Sequence, residues 1–353
     1  MHFPAEFWNT YTPFFATFLL LLVLFIFLRN ARNNLLSLPE IEPISATKPA
    51  DCMVVIPARN EEFTIERAVK SLPSDSVIVV DDASTDRTAT VAREAGAGVL
   101  PAPKLGFGVW GKPSACAEGA RVLTSRWILF ADADTWFERG FLEAAVSSAE
   151  TEKIEFVSII LKPEYESAFM RVLGPVATAL YYAGFERGSD RADMFLGHCV
   201  LVRRHPYEFI GGHRALVKFI DEDLQLAALA KRHRLRYAVA RAPRLGHVRV
   251  LASDFIRAAY RYEGPRAWTG LRILLAGLCC ALWFPLMAWL IVLRLYPAAT
   301  VLALGPIAMF QTWYRWPAAL LAPLGMFTVL PILLRGAWDA FTGRTLHWKG
   351  REL

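Results

Sequence analysis

Trp127-Ile128-Leu129-Phe130-Ala131-Asp132-Ala133-Asp134 is the stretch on which the fold turns. Its five apolar residues read as a buried strand, and the strand delivers two aspartates beyond its carboxyl end. In an extended backbone, residues two apart share a face, so both carboxylates can reach one hard cation across the small Ala133. Taken alone, the triplet favours a blander reading. Asp134 or Thr135 can cap a following helix, and Thr135 with Glu138 has capping-box spacing.

The flanking sequence shifts the balance. Residues 53–56 form a short apolar strand, and Asn60 is placed to cap a helix running to about Ser71. Residues 77–80 read as a second strand, and Thr85 or Asp86 can cap a helix ending before Gly96. A third short strand is expected at 98–100 and a helix at 115–123. Strand and helix alternating at this pace predict an α/β domain whose mainly parallel sheet is covered on both faces. Ligands of such sheets bind beyond the carboxyl ends of the strands. The polar clusters sit there: Pro57-Ala58-Arg59-Asn60-Glu61-Glu62 after the first strand, Asp81-Asp82-Ala83-Ser84-Thr85-Asp86 after the second, and Asp132-Ala133-Asp134 after the later one. Helix capping explains any one of them. It does not explain the doubled acids Asp81 and Asp82, which precede their cap.

The chain has 353 residues, of which 54% are hydrophobic, and a mean hydropathy of +0.31, too apolar for an entirely soluble protein. Residues 14–28 are apolar apart from Thr17 and reach the spanning length of about 17 residues only from near Tyr11. No Lys or Arg precedes them, and Arg29 and Arg32 follow. A cleaved signal would carry its charges first, so a retained anchor is expected, with the following domain cytoplasmic. Three more apolar stretches, 271–293, 297–310 and 317–334, are separated by short loops holding Arg294 and Arg315. Three full crossings would put the tail outside, whereas Arg335, Arg344, Lys349 and Arg351 favour the inside. A re-entrant or interfacial middle segment removes that conflict.

The five cysteines (Cys52, Cys116, Cys199, Cys279, Cys280) show neither zinc spacing nor a disulfide framework, which suits a reduced cytosolic domain. The net charge is +6, and Lys231, Arg232, Arg234, Arg236, Arg241, Arg244 and Arg249 cluster in one region. No stacking aromatics interleave and no nucleic-acid reader motif appears. Anionic lipid, a diphosphate or plain solvent is the better partner for this charge.

Five ordered motifs resemble the inverting family 2 glycosyltransferases with a GT-A fold. They are Val54-Val55-Ile56-Pro57-Ala58-Arg59-Asn60-Glu61-Glu62, Val79-Val80-Asp81-Asp82-Ala83-Ser84-Thr85-Asp86-Arg87-Thr88, Gly111-Lys112, Asp132-Ala133-Asp134 and Glu222-Asp223-Leu224. Trp110-Gly111-Lys112-Pro113-Ser114-Ala115-Cys116, Gly211-Gly212-His213 and Trp348-Lys349-Gly350-Arg351 are similar to the membrane-bound subgroup that glucosylates diaponeurosporenoate. Hopanoid-associated glycosyltransferases are a looser likeness. The resemblance implies a Rossmann-like GT-A nucleotide-sugar domain over 51–250, with a donor half at 51–150 and an acceptor half at 151–250. Around it stand an anchor at 1–30, a linker at 31–50, an interfacial segment at 251–270, a transmembrane region at 271–334 and a basic tail at 335–353. A bacterial inner (cytoplasmic) membrane location is implied.

By the same resemblance, Pro57, Ala58, Arg59, Glu61, Asp81 and Asp82 would hold the uridine of a UDP-sugar, and Lys112 would lie beside the nucleotide or diphosphate. The bland alternative for Lys112 is a surface lysine at a helix start. Asp132 and Asp134 would meet the sugar nucleotide and its divalent cation, Mn²⁺ or Mg²⁺, which neutralises the departing diphosphate. Asp223 is the expected base, with Glu222 as the alternate, on a helix from Asp221 to about His233. Three acids in a row at a helix start would also be stabilised by the dipole alone.

The Gln-x-x-Arg-Trp box of the family's processive synthases is missing, which argues for transfer of a single hexose. Arg249 or Arg261 could stand in as the diphosphate's cation; a membrane-surface arginine is the alternative for each. His198 is a candidate acceptor-site residue or a structural histidine. Residues 168–185 are apolar except Arg171 and Thr178, and read either as an interfacial helix admitting a lipid acceptor or as a buried helix interrupted at Gly174-Pro175. The competing functions are a polyprenyl-phosphate sugar synthase, a catalytically silent membrane scaffold and a transport component. Intact acids at Asp81, Asp82, Asp132, Asp134 and Asp223 speak against the scaffold. Spans with Arg272 as their sole charge speak against transport.

Overall fold

The first long helix, α1 (Ala5–Leu36), runs past residue 30 without a break. In this computed structural model, residues 5–45, 49–185, 187–258, 267–314, 316–342, 347–348 and 351–352 are described; Arg261, Arg315, Arg344, Lys349 and Gly350 lie outside them.

Beyond α1 the chain alternates as its apolar pattern predicts: β1 (Cys52–Ala58), α2 (Ile65–Lys70), β2 (Val77–Asp81), α3 (Thr88–Glu94), β3 (Gly98–Pro101), α4 (Gly111–Arg121) and β4 (Trp127–Ala131). There follow β5 (Thr135–Phe137), α5 (Phe141–Thr151), β6 (Phe156–Ile160), β7 (Lys162–Glu164), α6 (Ala168–Ala183) and β8 (Cys199–Arg203). Next come α7 (Arg204–Phe209), α8 (Glu222–Arg232), β9 (Tyr237–Arg241), β10 (Gly246–Arg249) and α9 (Ala252–Ala258). The main sheet has the order β3-β2-β1-β4-β8-β6-β9. Its pairs are parallel except that β8 runs against both β4 and β6. β4 is buried at every position, as expected of a central strand covered on both faces. Helices α2, α3 and α5 pack on one face; α4, α8 and the end of α1 pack on the other.

No helix follows Asp134. Trp136 and Phe137 are buried in β5, which pairs antiparallel with β10. Two aromatic side chains needing cover outweigh the capping-box spacing. The helix waits until Phe141, after Gly140 has turned the chain at φ +85°. The aspartates therefore lie on a turn rather than an extended strand, with the Asp132 carbonyl accepting from the Thr135 amide (3.1 Å) and hydroxyl (2.7 Å). Asn60 is not a helix cap either. It sits at φ +52°, α2 starts only at Ile65, and α4 starts four residues earlier than its apolar pattern suggests, at Gly111.

Helices α10 (Ala267–Val292), α11 (Tyr296–Met309) and α12 (Ala322–Phe341) complete the chain's large elements. Among the described residues, 11–36, 271–292 and 318–335 are long and apolar enough to cross a membrane. The 14 residues of α11 rise about 21 Å, short of a hydrocarbon core of about 30 Å. The apolar helix α6 joins the core of these helices, and it runs unbroken through Gly174-Pro175. Buried Asn34 of α1 donates to the carbonyls of Tyr182 (2.8 Å) and Phe185, Trp313 stacks on Tyr182, and the Tyr314 hydroxyl donates to the Val172 carbonyl. Residues 37–45 close onto the sheet edge, where Glu40 pairs with Arg241 (2.5 Å) and Arg244 (3.0 Å). Part of the basic cluster is spent there.

Candidate active site

The β1–β2 register sets Ala58 beside Asp81, so the two loops that follow stand side by side. They are laced by side chain to backbone bonds. Asn60 Oδ1 accepts from the Thr85 amide (2.8 Å), Thr88 Oγ1 from the Glu61 amide (2.7 Å), and Asp86 Oδ2 from the Glu62 amide (3.2 Å). The Arg59 guanidinium donates to the carbonyls of Asp82 (2.6 Å) and Ala83 (3.1 Å), and the Asp82 side chain is buried. Ala83 holds φ +52°, an uncommon conformation for a residue with a Cβ. Asn60 shares that conformation, also at φ +52°, in the facing loop.

Lys112 stands at the start of α4, pointing across the carboxyl ends of the strands. Its Nζ lies 2.7 Å from Asp132 Oδ1 and 3.2 Å from Glu222 Oε1, and donates to the Gly197 carbonyl at 3.1 Å. Lys112 is thus a cation between two motifs far apart in sequence, and not the surface lysine of the bland alternative. Burial alone would lower its pKa; the facing Asp132 and Glu222 carboxylates outweigh that and raise it above the ordinary lysine range. Asp223 is buried, and its two oxygens accept from the amides of Gly197 (2.8 Å) and Leu224 (2.9 Å). One pocket is lined by Pro57, Lys112, Asp132, Glu222 and Asp223, together with Cys116, Phe130, Gly197 and His213.

Ala58, Arg59, Glu61, Asp81, Asp82, Asp134, His198 and Arg249 are not part of this lining. Asp134 accepts the Arg249 amide on its carbonyl (3.0 Å), which fixes the two residues together. The Arg249 guanidinium Nε lies 2.8 Å from Glu166. The His198 carbonyl accepts from the Asp132 amide (3.0 Å), and its ring Nε2 accepts from the Leu161 amide at 3.4 Å.

Sequence reasoning gave no role to Gly197 or His213. His213 is buried with its ring edge on Phe130, 4.4 Å between centroids. Tyr207 Oη accepts from the His213 amide and lies 3.0 Å from its Nδ1. Burial first, and Lys112 second, push the His213 pKa from 6.5 down to about 3, against the raising effect of Asp223. The ring is a neutral part of the pocket wall.

A family model described as Glycosyl transferase family 2 matches residues 53–211. The chain carries a family 2 glycosyltransferase domain. The 4,4'-diaponeurosporenoate glycosyltransferase of Staphylococcus haemolyticus (strain JCSC1435) is 32% identical over 196 residues, 52% of this chain and 52% of that protein. The protein of the same description from Staphylococcus aureus (strain MRSA252) is 32% identical over 189 residues, 50% of each chain. This chain thus spans about half the length of the curated relatives it matches. Among solved structures, the mannosyltransferase PcManGT from Pyrobaculum calidifontis, in complex with GDP-Man and Mn²⁺, superposes with a TM-score of 0.55. It is 20% identical, over 94% of this chain and 98% of that one. The fold of the glycosyltransferase domain is GT-A.

The domain's fitness for a divalent cation follows from its donor set. Among the described residues, no group of three or more His, Cys, Asp or Glu could hold an ion by itself. Asp132 and Asp134 offer hard carboxylate oxygens on one turn. That suits Mg²⁺ or Mn²⁺, which take one or two carboxylates and complete their shell with substrate phosphates and water.

Proposed function

We propose that this chain transfers a single hexose, such as glucose, from a UDP-sugar to a lipid acceptor of carotenoid or hopanoid type, with inversion, at the cytoplasmic face of a bacterial inner membrane. The observation that carries this reading is the ammonium of Lys112 held between Asp132 and Glu222 (2.7 and 3.2 Å), with Asp223 in the same pocket. A donor-side carboxylate and an acceptor-side acid pair thereby share one small volume. The names of the curated relatives support a lipid-like acceptor, and so do the three apolar helices packed beside the domain.

In this reading the laced loops after β1 and β2 seat the nucleoside, with Pro57, Ala58, Arg59, Glu61, Asp81 and Asp82 around it. Asp132 and Asp134 hold the donor's divalent cation, which when bound neutralises charge gathering on the leaving diphosphate. Lys112 adds a second positive charge on that side. An acceptor oxygen attacks the anomeric carbon from the face opposite the diphosphate; the new C–O bond forms as the bond to the diphosphate oxygen breaks. Asp223 takes the hydroxyl proton when the acceptor is a hydroxyl. The amides of Gly197 and Leu224, one on each of its oxygens, hold the carboxylate in place. A carboxylate acceptor needs no base.

The test is incubation of membranes containing the protein with labelled UDP-glucose, other UDP-hexoses and GDP-mannose in the presence of a bacterial lipid extract. Mass spectrometry should find one hexose added to an apolar acceptor and UDP released. A product bearing a sugar on a polyprenyl phosphate, or no labelled lipid from any donor, would overturn the reading.

A further inference from the structure

Leu196, Gly197 and His198 are three consecutive residues that tie four separate parts of the site. Leu196 is fastened at both backbone groups by one hydroxyl: Ser158 of β6, fully buried, accepts from its amide (2.9 Å) and donates to its carbonyl (3.2 Å). Gly197 donates its amide to Asp223 (2.8 Å) and accepts Lys112 on its carbonyl (3.1 Å). His198 accepts the Asp132 amide on its carbonyl (3.0 Å). A side chain at position 197 would intrude where these groups meet: a Cβ there would lie 3.1 Å from Asp223 Cβ, Asp223 Oδ2 and Lys112 Nζ alike. The Gly197 backbone has no positive φ, so what bears on a side chain there is tight space rather than conformation.

We propose that residues 196–198 form a strap that sets the separation of the donor-side Asp132 from the base Asp223, with Gly197 as the positioning residue and Ser158 as its fastening. The inference rests on the sugar-transfer reading for its consequence, and on the bonds above for its existence. Proximity explains the requirement. Attack at the anomeric carbon needs base, acceptor oxygen and departing diphosphate held within a few tenths of an ångström, and misplacement by about 1 Å costs roughly 100-fold. The strap fixes both ends through adjacent peptide groups, which have far less freedom than two long side chains.

Gly197→Ala and Ser158→Ala in the full chain test this, each with two readouts. The first is steady-state transfer from UDP-glucose to the lipid extract. The second is acetylation of Lys112 by acetic anhydride, read by mass spectrometry against exposed Lys104 as internal reference. Gly197→Ala should lower kcat at least 30-fold with KM for UDP-glucose changed less than 3-fold, and raise Lys112 labelling several-fold while the thermal midpoint holds. Ser158→Ala, the second variant should the first fail to fold, should move both readouts the same way by a smaller amount. Unchanged labelling, or unchanged kcat in a transferring protein, overturns the strap. If the parent transfers no sugar, labelling alone decides: a rise in both variants keeps the strap while the transfer reading fails.

Discussion

Lys112 and Asp132 form an ion pair at 2.7 Å, and the same ammonium reaches Glu222 at 3.2 Å. The lysine side chain is about a quarter exposed and Glu222 is nearly buried. Lys112→Met should therefore leave two carboxylates facing each other without a cation. The expected destabilisation is about 2 kcal/mol, between the exposed and the fully buried case. Thermal unfolding in detergent measures it, and a second substitution, Glu222→Gln, should restore part of the loss.

Asp132→Ala and Asp134→Ala should each abolish sugar transfer while leaving the protein folded in membranes, since Lys112 keeps Glu222 as a partner in the first variant. Excess EDTA should lower transfer by the parent at least 100-fold, and Mn²⁺ or Mg²⁺ should restore it. Full activity in EDTA would remove the cation from the site.

The two acids of the Glu222-Asp223 pair have different surroundings, so they should fail differently. Asp223→Asn should cost kcat roughly 1,000-fold on a hydroxyl acceptor, as expected for loss of a general base. Glu222→Gln should act mainly through Lys112, raising KM for the donor more than it lowers kcat. The reverse ranking would make Glu222 the base.

The His213 pKa is depressed from 6.5 to about 3 by burial and then by Lys112. A depressed group favours the deprotonated native state, so its stabilisation is complete above pH 6.5 and is lost as pH falls from 6.5 towards 3. Unfolding free energy measured from pH 7.5 to 5 should decline. In His213→Gln the part of that slope due to this residue should vanish.

Gly119 of α4 lies against the sheet so closely that an added Cβ would collide with Val55 and come within 3.0 Å of Val80. Gly119→Val should destabilise by about 2–3 kcal/mol through overpacking, and Gly119→Ala by less. Both variants leave the carboxylates of the site untouched, so donor affinity of the folded fraction should be unchanged.

The alternation of strands and helices was legible because burial on both sheet faces leaves continuous apolar runs. Strand β4 falls where its five apolar residues put it. Helix starts were less legible. Asn60 looks like a cap but spends its carboxamide on Thr85 of the next loop, a partner that adjacent strands supply and sequence spacing does not show. The same applies after Asp134, where pairing of Trp136 opposite His247 makes a strand out of a sequence with capping-box spacing. Gly197 carried no signal, since its role lies in its amide, its carbonyl and its missing side chain.

The sequence by itself determined the α/β class, the ordered polar clusters beyond the strands and the apolar helices at both ends, because each follows from local periodicity and residue type. Only the tertiary structure decided that Lys112 joins Asp132 to Glu222, that α6 belongs to the core of the apolar helices, and that Gly197 lies between Lys112 and Asp223. These are contacts between residues distant along the chain. Their existence depends on how strands pair and helices dock, which no local pattern encodes.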